Sequence, residues 1–393
     1  MAELPKAEWT QREDLARLVE VLGRENLRWV GGAVRDTMLG NPVKDIDAAT
    51  PLTPDEVIAR LKEAKIRSVP TGIDHGTVTA LLPGGPVEIT TLRKDVSSDG
   101  RRATVAFSDD WREDAARRDF TINALYADPA TLELFDFFDG LHDLEDRRVR
   151  FIGDPRARIH EDHLRILRYY RFQARFGYTL DEEAERACTE LAPMLKGLSR
   201  ERVGWELQHL LSVADPTATV VRMYQQGVLG VVLPETGDHE IIAFEKLVEA
   251  ERARDVPSSP IRRLAALLPP EPKIAEQVAA RLRLSSAQKR RLACAADRGL
   301  PPGDPHALAY YLGHDEAIDR MLLAGEDPDP LIGWAIPQLP LKGGDIVARG
   351  VAAGPQVARI LRAVESRWAA EGFPARGRVE ALLNEELSRN PPA

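Results

Sequence analysis

The chain has 393 residues, too many for one compact core, so several domains are expected. Its formal charge of −9 excludes a uniformly basic nucleic-acid coat, although a global sum leaves local patches open. Two cysteines, Cys188 and Cys294, lie far apart with no paired partners nearby, which excludes a zinc cluster or disulfide framework and fits a reducing, cytoplasmic setting.

In chain order, MAELPKAEWTQREDLARLVEVLG reads as an amphipathic helix without the unbroken apolar core of a signal peptide. No later run approaches the ~18 apolar residues of a membrane span. Up to Asp139, helical stretches mix with short β-type runs: LRWV, VKDIDAAT, GTVTALL, VEITTLR and TLELFDFF. From Gly140 onward strand signals fade and helical periodicity takes over. The expected architecture is therefore an α+β head, a mixed β-sheet with helices, followed by an all-helical remainder. Within that remainder PSSPIRRLAALLPPEPK, GLPPGDPH and DPDPLIGWAIPQLP are proline-rich breaks between helical modules.

Gly31 and Gly32 stand between the strand LRWV and the helix-like AVRDTMLG. Glycines there would let backbone N–H groups approach a phosphate at a helix start, although a tight turn would look the same. The spacing matches neither the dinucleotide fingerprint nor the P-loop. Next come Asp45 and Asp47. On a strand they would project from one face, about 7 Å apart, and repel each other unless a cation neutralises them. Hard oxygen ligands suit Mg²⁺, which is often held by two carboxylates plus substrate phosphates. The ordinary alternative is an exposed edge strand with two solvated acids. In PVEITTLR, Glu88 shares a face with Thr90 and Leu92, opposite Val87, Ile89 and Thr91. If this strand pairs beside VKDIDAAT, Glu88 supplies a third carboxylate, as two-metal phosphoryl transfer requires; otherwise it is a surface glutamate.

In EDAARRDFTINALYAD, Arg117 and Arg118 precede Asp119, with Asn123 one helical turn later. Arginine contacts phosphate through two donors, and Asp or Asn can hold a ribose hydroxyl. A capped helix with structural ion pairs has the same signature. In IHEDHLRILRYYRFQARFGY, Asp162 and Arg165 are i, i+3 neighbours on an expected helix, and Arg168 continues that face. They can bond to each other. Their functional alternative is base selection: cytosine and adenine each present an amino donor beside a ring-nitrogen acceptor, whereas uracil and guanine present the reverse. An accepting aspartate and a donating arginine match C and A and reject U and G. The histidines of HEDH are one residue too close for a zinc motif and read as helix-surface residues. Arginines are dense between Arg147 and Arg175, a local positive stripe suited to nucleotide or RNA phosphates.

GGAVRD, DIDAAT, VEITTLR, RRDFTINAL, FFDGLHDL, EDHLRILRYYRF and LSRERVGWEL occur in this order, and together the set resembles the bacterial class II CCA-adding enzymes. These are tRNA nucleotidyltransferases of the polymerase β superfamily, close to bacterial poly(A) polymerases. The resemblance is densest from Trp29 to Leu207 and looser through VLGVVLPE and GGDIVARGVAAGPQVARIL. It implies Mg²⁺-dependent transfer of CMP and AMP from CTP and ATP to a tRNA 3′ end, with no membrane and no evident protein partner. Asp45 and Asp47 would then hold the metals, and Glu88 would be the third acid. Gly31, Gly32, Arg35, Arg118, Asp119 and Asn123 would bind the nucleotide, Asp162 and Arg165 would read the base, and Arg168 and Arg171 would support them. The implied domains are a catalytic head (1–139), neck (140–200), body (201–272) and tRNA-binding tail (273–393), in a seahorse shape. RKDVSSDGRRATVAF falls at the family's flexible loop after the third acid, slightly short and without its usual aromatic-proline flavour. Most of that loop is present, so terminal adenosine addition is plausible, with CC-only or A-only addition as variants. The alternatives are poly(A) polymerase, disfavoured by the non-basic ending EALLNEELSRNPPA, and an RNA-binding protein on an inactive scaffold, disfavoured by three retained acids.

Overall fold

A computed structural model describes residues 2–73, 76–98, 103–299 and 304–389. They divide into two compact units, Met1–Val232 and Leu233–Ala393.

The first unit is built on a mixed sheet of β1 (Arg28–Val30), β2 (Ile46–Thr50), β3 (Arg67–Gly72), β4 (Thr77–Leu82), β5 (Gly85–Thr91), β8 (Leu125–Ala127) and β9 (Leu134–Asp136). The spatial order is β3-β4-β5-β2-β1-β8-β9, and a separate hairpin pairs β6 (Arg93–Ser98) with β7 (Ala103–Phe107). Every neighbouring pair is antiparallel except β2 and β5, which run parallel and set Asp47 opposite Glu88. The hairpin falls on the stretch expected to be the loop after the third acid, of which residues 99–102 lie outside the described residues.

Two strands of the mixed sheet lacked a sequence signal. β3 is an edge strand, largely exposed and carrying Pro70, so it shows no apolar alternation. β8 is three buried residues, too short to show a period. VKDIDAAT also shortens to Ile46–Thr50, leaving Asp45 just ahead of the strand, and TLELFDFF shortens to Leu134–Asp136.

Helices α1 (Glu13–Leu22), α2 (Gly32–Met38), α3 (Pro54–Glu63) and α4 (Trp111–Ala116) belong to the sheet region. Thr53 and Glu56 start α3 with reciprocal side-chain and backbone bonds, and Pro54 fits its first turn. Beyond β9 the first unit is mainly helical, with isolated bridges at Phe120–Phe151 and Arg148–Thr179: α5 (Gly140–Glu145), α6 (Pro155–Glu161), α7 (Arg165–Phe176), α8 (Glu182–Leu191), α9 (Arg200–Leu211), α10 (Thr217–Gln225) and α11 (Val228–Val232). Aromatic packing fixes α7 against the sheet region. Phe120 lies 4.9 Å from Phe151 and 5.1 Å from Phe172 between ring centroids, and Phe151 stacks on Tyr169.

The second unit is helical: α12 (Asp238–Ala253), α13 (Pro260–Ala266), α14 (Pro272–Arg281), α15 (Ser286–Ala296), α16 (Pro305–Leu312), α17 (His314–Ala324), α18 (Gly343–Val347), α19 (Pro355–Ala370) and α20 (Arg376–Arg389). Buried Arg262 bridges Glu251 and Asp319, both also buried, so each charge has a partner. Part of the break GLPPGDPH lies outside the described residues. Among the described residues no helix is long and apolar enough to cross a membrane.

Candidate active site

The first unit contains a cleft of about 540 Å³ whose walls come from the β1–α2 turn, β2, β5, the segment after α4, and the region around α7 and α9. Seven arginines and five carboxylates line it, so the cleft is net positive within an acidic chain and suits a polyphosphate.

The glycine pair makes the tight approach. Gly31 adopts φ +70° and ψ −123°, a conformation that an L side chain strains to enter. A Cβ there would stand 3.4 Å from Arg118 Nη1, so the missing side chain also leaves room for that guanidinium. Arg118 donates to the Tyr126 hydroxyl at 3.2 Å and pairs with Asp114 at 3.3 Å. Burial alone would lower its pKa, but Tyr126 and Asp114 outweigh burial and raise it, so the cation is fixed.

Asp47 and Glu88 are register partners on parallel strands, and both line the cleft. The Asp47 carboxyl is pushed up to about 6, first by burial and then by the Glu88 charge. Thr90 shares the Glu88 face, while Val87, Ile89 and Thr91 are buried on the other. Asp45 stands apart: it precedes β2, is exposed and is not among the cleft-lining residues, although its charge also raises the Asp47 carboxyl. Pairing with β1 and β5 begins only at residues 46–47, so Asp45 sits one residue ahead of the ladder that carries Asp47.

Charge-fitness for a hard divalent cation follows from this crowding. Among the described residues no three His, Cys, Asp or Glu side chains are gathered to enclose a metal ion. The protein's share is a strand-borne carboxylate pair whose repulsion a cation would relieve, with phosphate and water completing the shell.

Asp119 is the centre of a bonded chain across the cleft floor. It accepts from Arg168 Nε at 2.8 Å and Nη2 at 2.5 Å, and from Asn123 Nδ2 at 2.9 Å. Burial alone would raise its carboxyl, but Arg168, Asn123 and the Phe120 amide together outweigh burial and hold it below the usual range. Asn123 accepts in turn from Arg35 Nη1 at 2.5 Å. Arg35 is buried and also donates to Asp36 through Nε and Nη2, so its side chain braces the wall as much as it offers charge. At the far end buried Glu206 accepts from Arg171 at 2.7 Å and from Arg168 at 3.5 Å. Arg171 does not line the cleft; it lies against Phe172 and supports the wall.

Asp162 and Arg165 both line the cleft, yet Asp162 is not on the helix that the sequence suggested. It caps the end of α6 with extended backbone, and α7 begins at Arg165. Nor do the two side chains bond to each other. Asp162 Oδ2 accepts from Arg202 at 2.7 Å, and Arg165 Nη1 donates to Glu161 at 2.5 Å and to the Arg158 carbonyl at 2.8 Å. A carboxylate has about four acceptor positions and a guanidinium five donors, so each retains capacity for a base. His160 is exposed, whereas His163 lies in the break between α6 and α7.

Arg202 and Asp114 were not singled out in the sequence. Asp114 had a signal, since it precedes Arg118 by four residues in DAARR, the spacing of a helical ion pair. Arg202 had none, because its partner is 40 residues away.

Comparison with known proteins identifies the family. Residues 27–150 match the poly A polymerase head domain family, and residues 177–239 match the family described as the probable RNA and SrmB-binding site of polymerase A. The mouse mitochondrial CCA tRNA nucleotidyltransferase 1 is 33% identical over 384 residues, covering 92% of this chain and 87% of that protein. A CCA-adding enzyme of Levilactobacillus brevis is 39% identical over 243 residues, 61% of this chain and 59% of the relative. The CCA-adding enzyme of Bacillus stearothermophilus, solved with CTP, has the same fold with a TM-score of 0.73 at 24% identity, covering 96% of this chain and 98% of the other. The chain belongs to the CCA tRNA nucleotidyltransferases, the CCA-adding enzymes.

Proposed function

We propose that this chain adds CMP and AMP, taken from CTP and ATP, to the 3′ end of tRNA without a nucleic-acid template, releasing pyrophosphate. The observation that carries the reading is the Asp47–Glu88 pair on neighbouring strands, facing an arginine-walled cleft. Relatives with the CCA tRNA nucleotidyltransferase name span nearly the whole chain, which supports it.

In this reading Asp47, with Asp45 just ahead of its strand, would hold Mg²⁺, and Glu88 would be the third acid beside them. Bound there, the cation would lower the pKa of the attacking hydroxyl and neutralise the departing pyrophosphate. Arg118, fixed by Asp114 and Tyr126, contacts the triphosphate through its free guanidinium edge, and the Gly31–Gly32 turn lets that phosphate come close to backbone. Asp119 and Asn123 hold the sugar edge. Asp162 accepts from the exocyclic amino group of C or A, while Arg165 donates to the ring nitrogen. Arg202 and Glu161 set the angles of those two side chains. Arg168, Arg171 and Glu206 keep α7 in place beneath them. The domain scheme of head (1–139), neck (140–200), body (201–272) and tail (273–393) belongs to the same proposal, with tRNA along the last three. Both cysteines are free thiols, in keeping with a reducing compartment such as the cytoplasm.

The test is Asp47→Ala and Asp45→Ala in the full chain, assayed for incorporation of labelled CMP and for tRNA binding. Both variants should lose incorporation and keep binding. Appreciable transfer by either variant would sink the assignment.

A further inference from the structure

Helix α9 carries a stripe that the steps above leave unused beyond its first member. Arg202, Trp205 and His209 follow one another at three- and four-residue spacing, so they share a helix face. All three are exposed, while Glu206 and Leu207 between them are buried. Trp205 is 52% exposed, more than any other tryptophan of the chain. The His209 ring lies against its indole with centroids 3.7 Å apart and planes inclined by 33°. His209 Nδ1 donates to the Trp205 carbonyl at 2.7 Å, which fixes the imidazole in that place. The Arg171 guanidinium stands 5.9 Å from the indole centre.

About half of the indole stays in water, and that half gains nothing from burial. Its surroundings point to what it can do. The stripe begins at the cleft, since Arg202 lines that wall and binds Asp162, and it continues outward one turn at a time. Planar rings flanked by guanidinium groups match an unpaired nucleotide: every base has a face that stacks on an aromatic ring, and arginine meets its phosphate. A protein partner would call for a wider apolar patch than one indole among Glu201, Arg202 and His209.

We infer that the Trp205–His209 ring pair is a stacking platform for an unpaired base near the 3′ end of the RNA whose terminal hydroxyl enters the cleft. The inference rests on the proposed function in taking RNA as the acceptor. It adds the residue that grips the single strand just outside the site.

The experiment uses the full chain and its Trp205→Ala and Trp205→Phe variants. Each is titrated with a short single-stranded oligoribonucleotide ending in CC and with the same sequence as a blunt duplex. Trp205→Ala should weaken single-strand binding about tenfold and leave duplex binding unchanged. Trp205→Phe should stay within about threefold of the parent, since a phenyl ring still stacks, yet lose the RNA-induced quenching of indole emission. Single-strand affinity unchanged in Trp205→Ala would overturn the platform, as would equal loss for single strand and duplex. These titrations need no nucleotide addition. A parent chain that binds RNA through Trp205 but transfers no nucleotide would therefore refute the proposed function and still support the platform.

Discussion

Asp47→Asn should make the protein more stable and inactive at once. The Asp47 carboxyl stands at about 6 in the fold against an ordinary value of 3.8, because it is partly buried and faces Glu88. A group with a raised folded-state pKa favours the fold while protonated, and that benefit is lost as pH rises from about 4 through 6. Roughly two pK units correspond to about 3 kcal/mol as an upper bound, and solvent screening at a cleft wall reduces this to about 1–2 kcal/mol. Asparagine carries no charge at any pH, so at pH 7.5 without divalent cation the variant should gain that amount. For a unit of this size the gain amounts to a rise in Tm of about 2–8 °C. Circular dichroism melts at pH 7.5 and pH 4 in a chelator measure it directly. The difference should shrink towards zero at pH 4, where the parent carboxyl is itself neutral. Adding Mg²⁺ should raise the parent more than the variant. A Tm at pH 7.5 equal to or below that of the parent, or a gain that persists undiminished at pH 4, would refute the repulsion argument.

Other perturbations read other parts of the site. Gly31→Ala forces a Cβ into a left-handed backbone position and against Arg118, so it should cost about 1–2 kcal/mol in urea denaturation and raise KM for the nucleotide. Glu206→Ala leaves Arg168 and Arg171 without their shared buried partner, and a loss of about 2–4 kcal/mol is expected, read as a lower urea midpoint. Arg165→Ala should relax the preference for CTP and ATP over UTP and GTP while tRNA affinity holds; unchanged selectivity would remove Arg165 from base reading. Arg202→Ala should shift selectivity in the same direction but less, because Asp162 keeps its bond from the Leu164 amide.

How far the sequence could be read depended on the distance between partners. The change from mixed sheet to helix near Asp139 was legible because periodicity is local. So was the face of Glu88, since alternation along VEITT requires only one strand. The neighbour of Glu88 was not legible: pairing with Asp47 joins residues 41 apart in sequence, and only the folded sheet sets that register. Asp162 was placed on a helix because HEDHLRIL has helical spacing throughout, yet the chain turns at that residue and α7 starts afresh. Its partner Arg202 was invisible for the same reason as Asp47 and Glu88, a contact between distant segments. Asp45 and Asp47 looked equivalent in sequence and are not, because one lies inside the sheet and the other just before it.

CCA addition is tested most directly on tRNA lacking its last three, two or one nucleotides, incubated with CTP, with ATP and with both. CTP alone should extend the first two substrates up to CC, ATP alone should extend only the last, and both together should finish every substrate at CCA. Extension of every substrate by ATP alone into a long tract, or no extension of any, would contradict it.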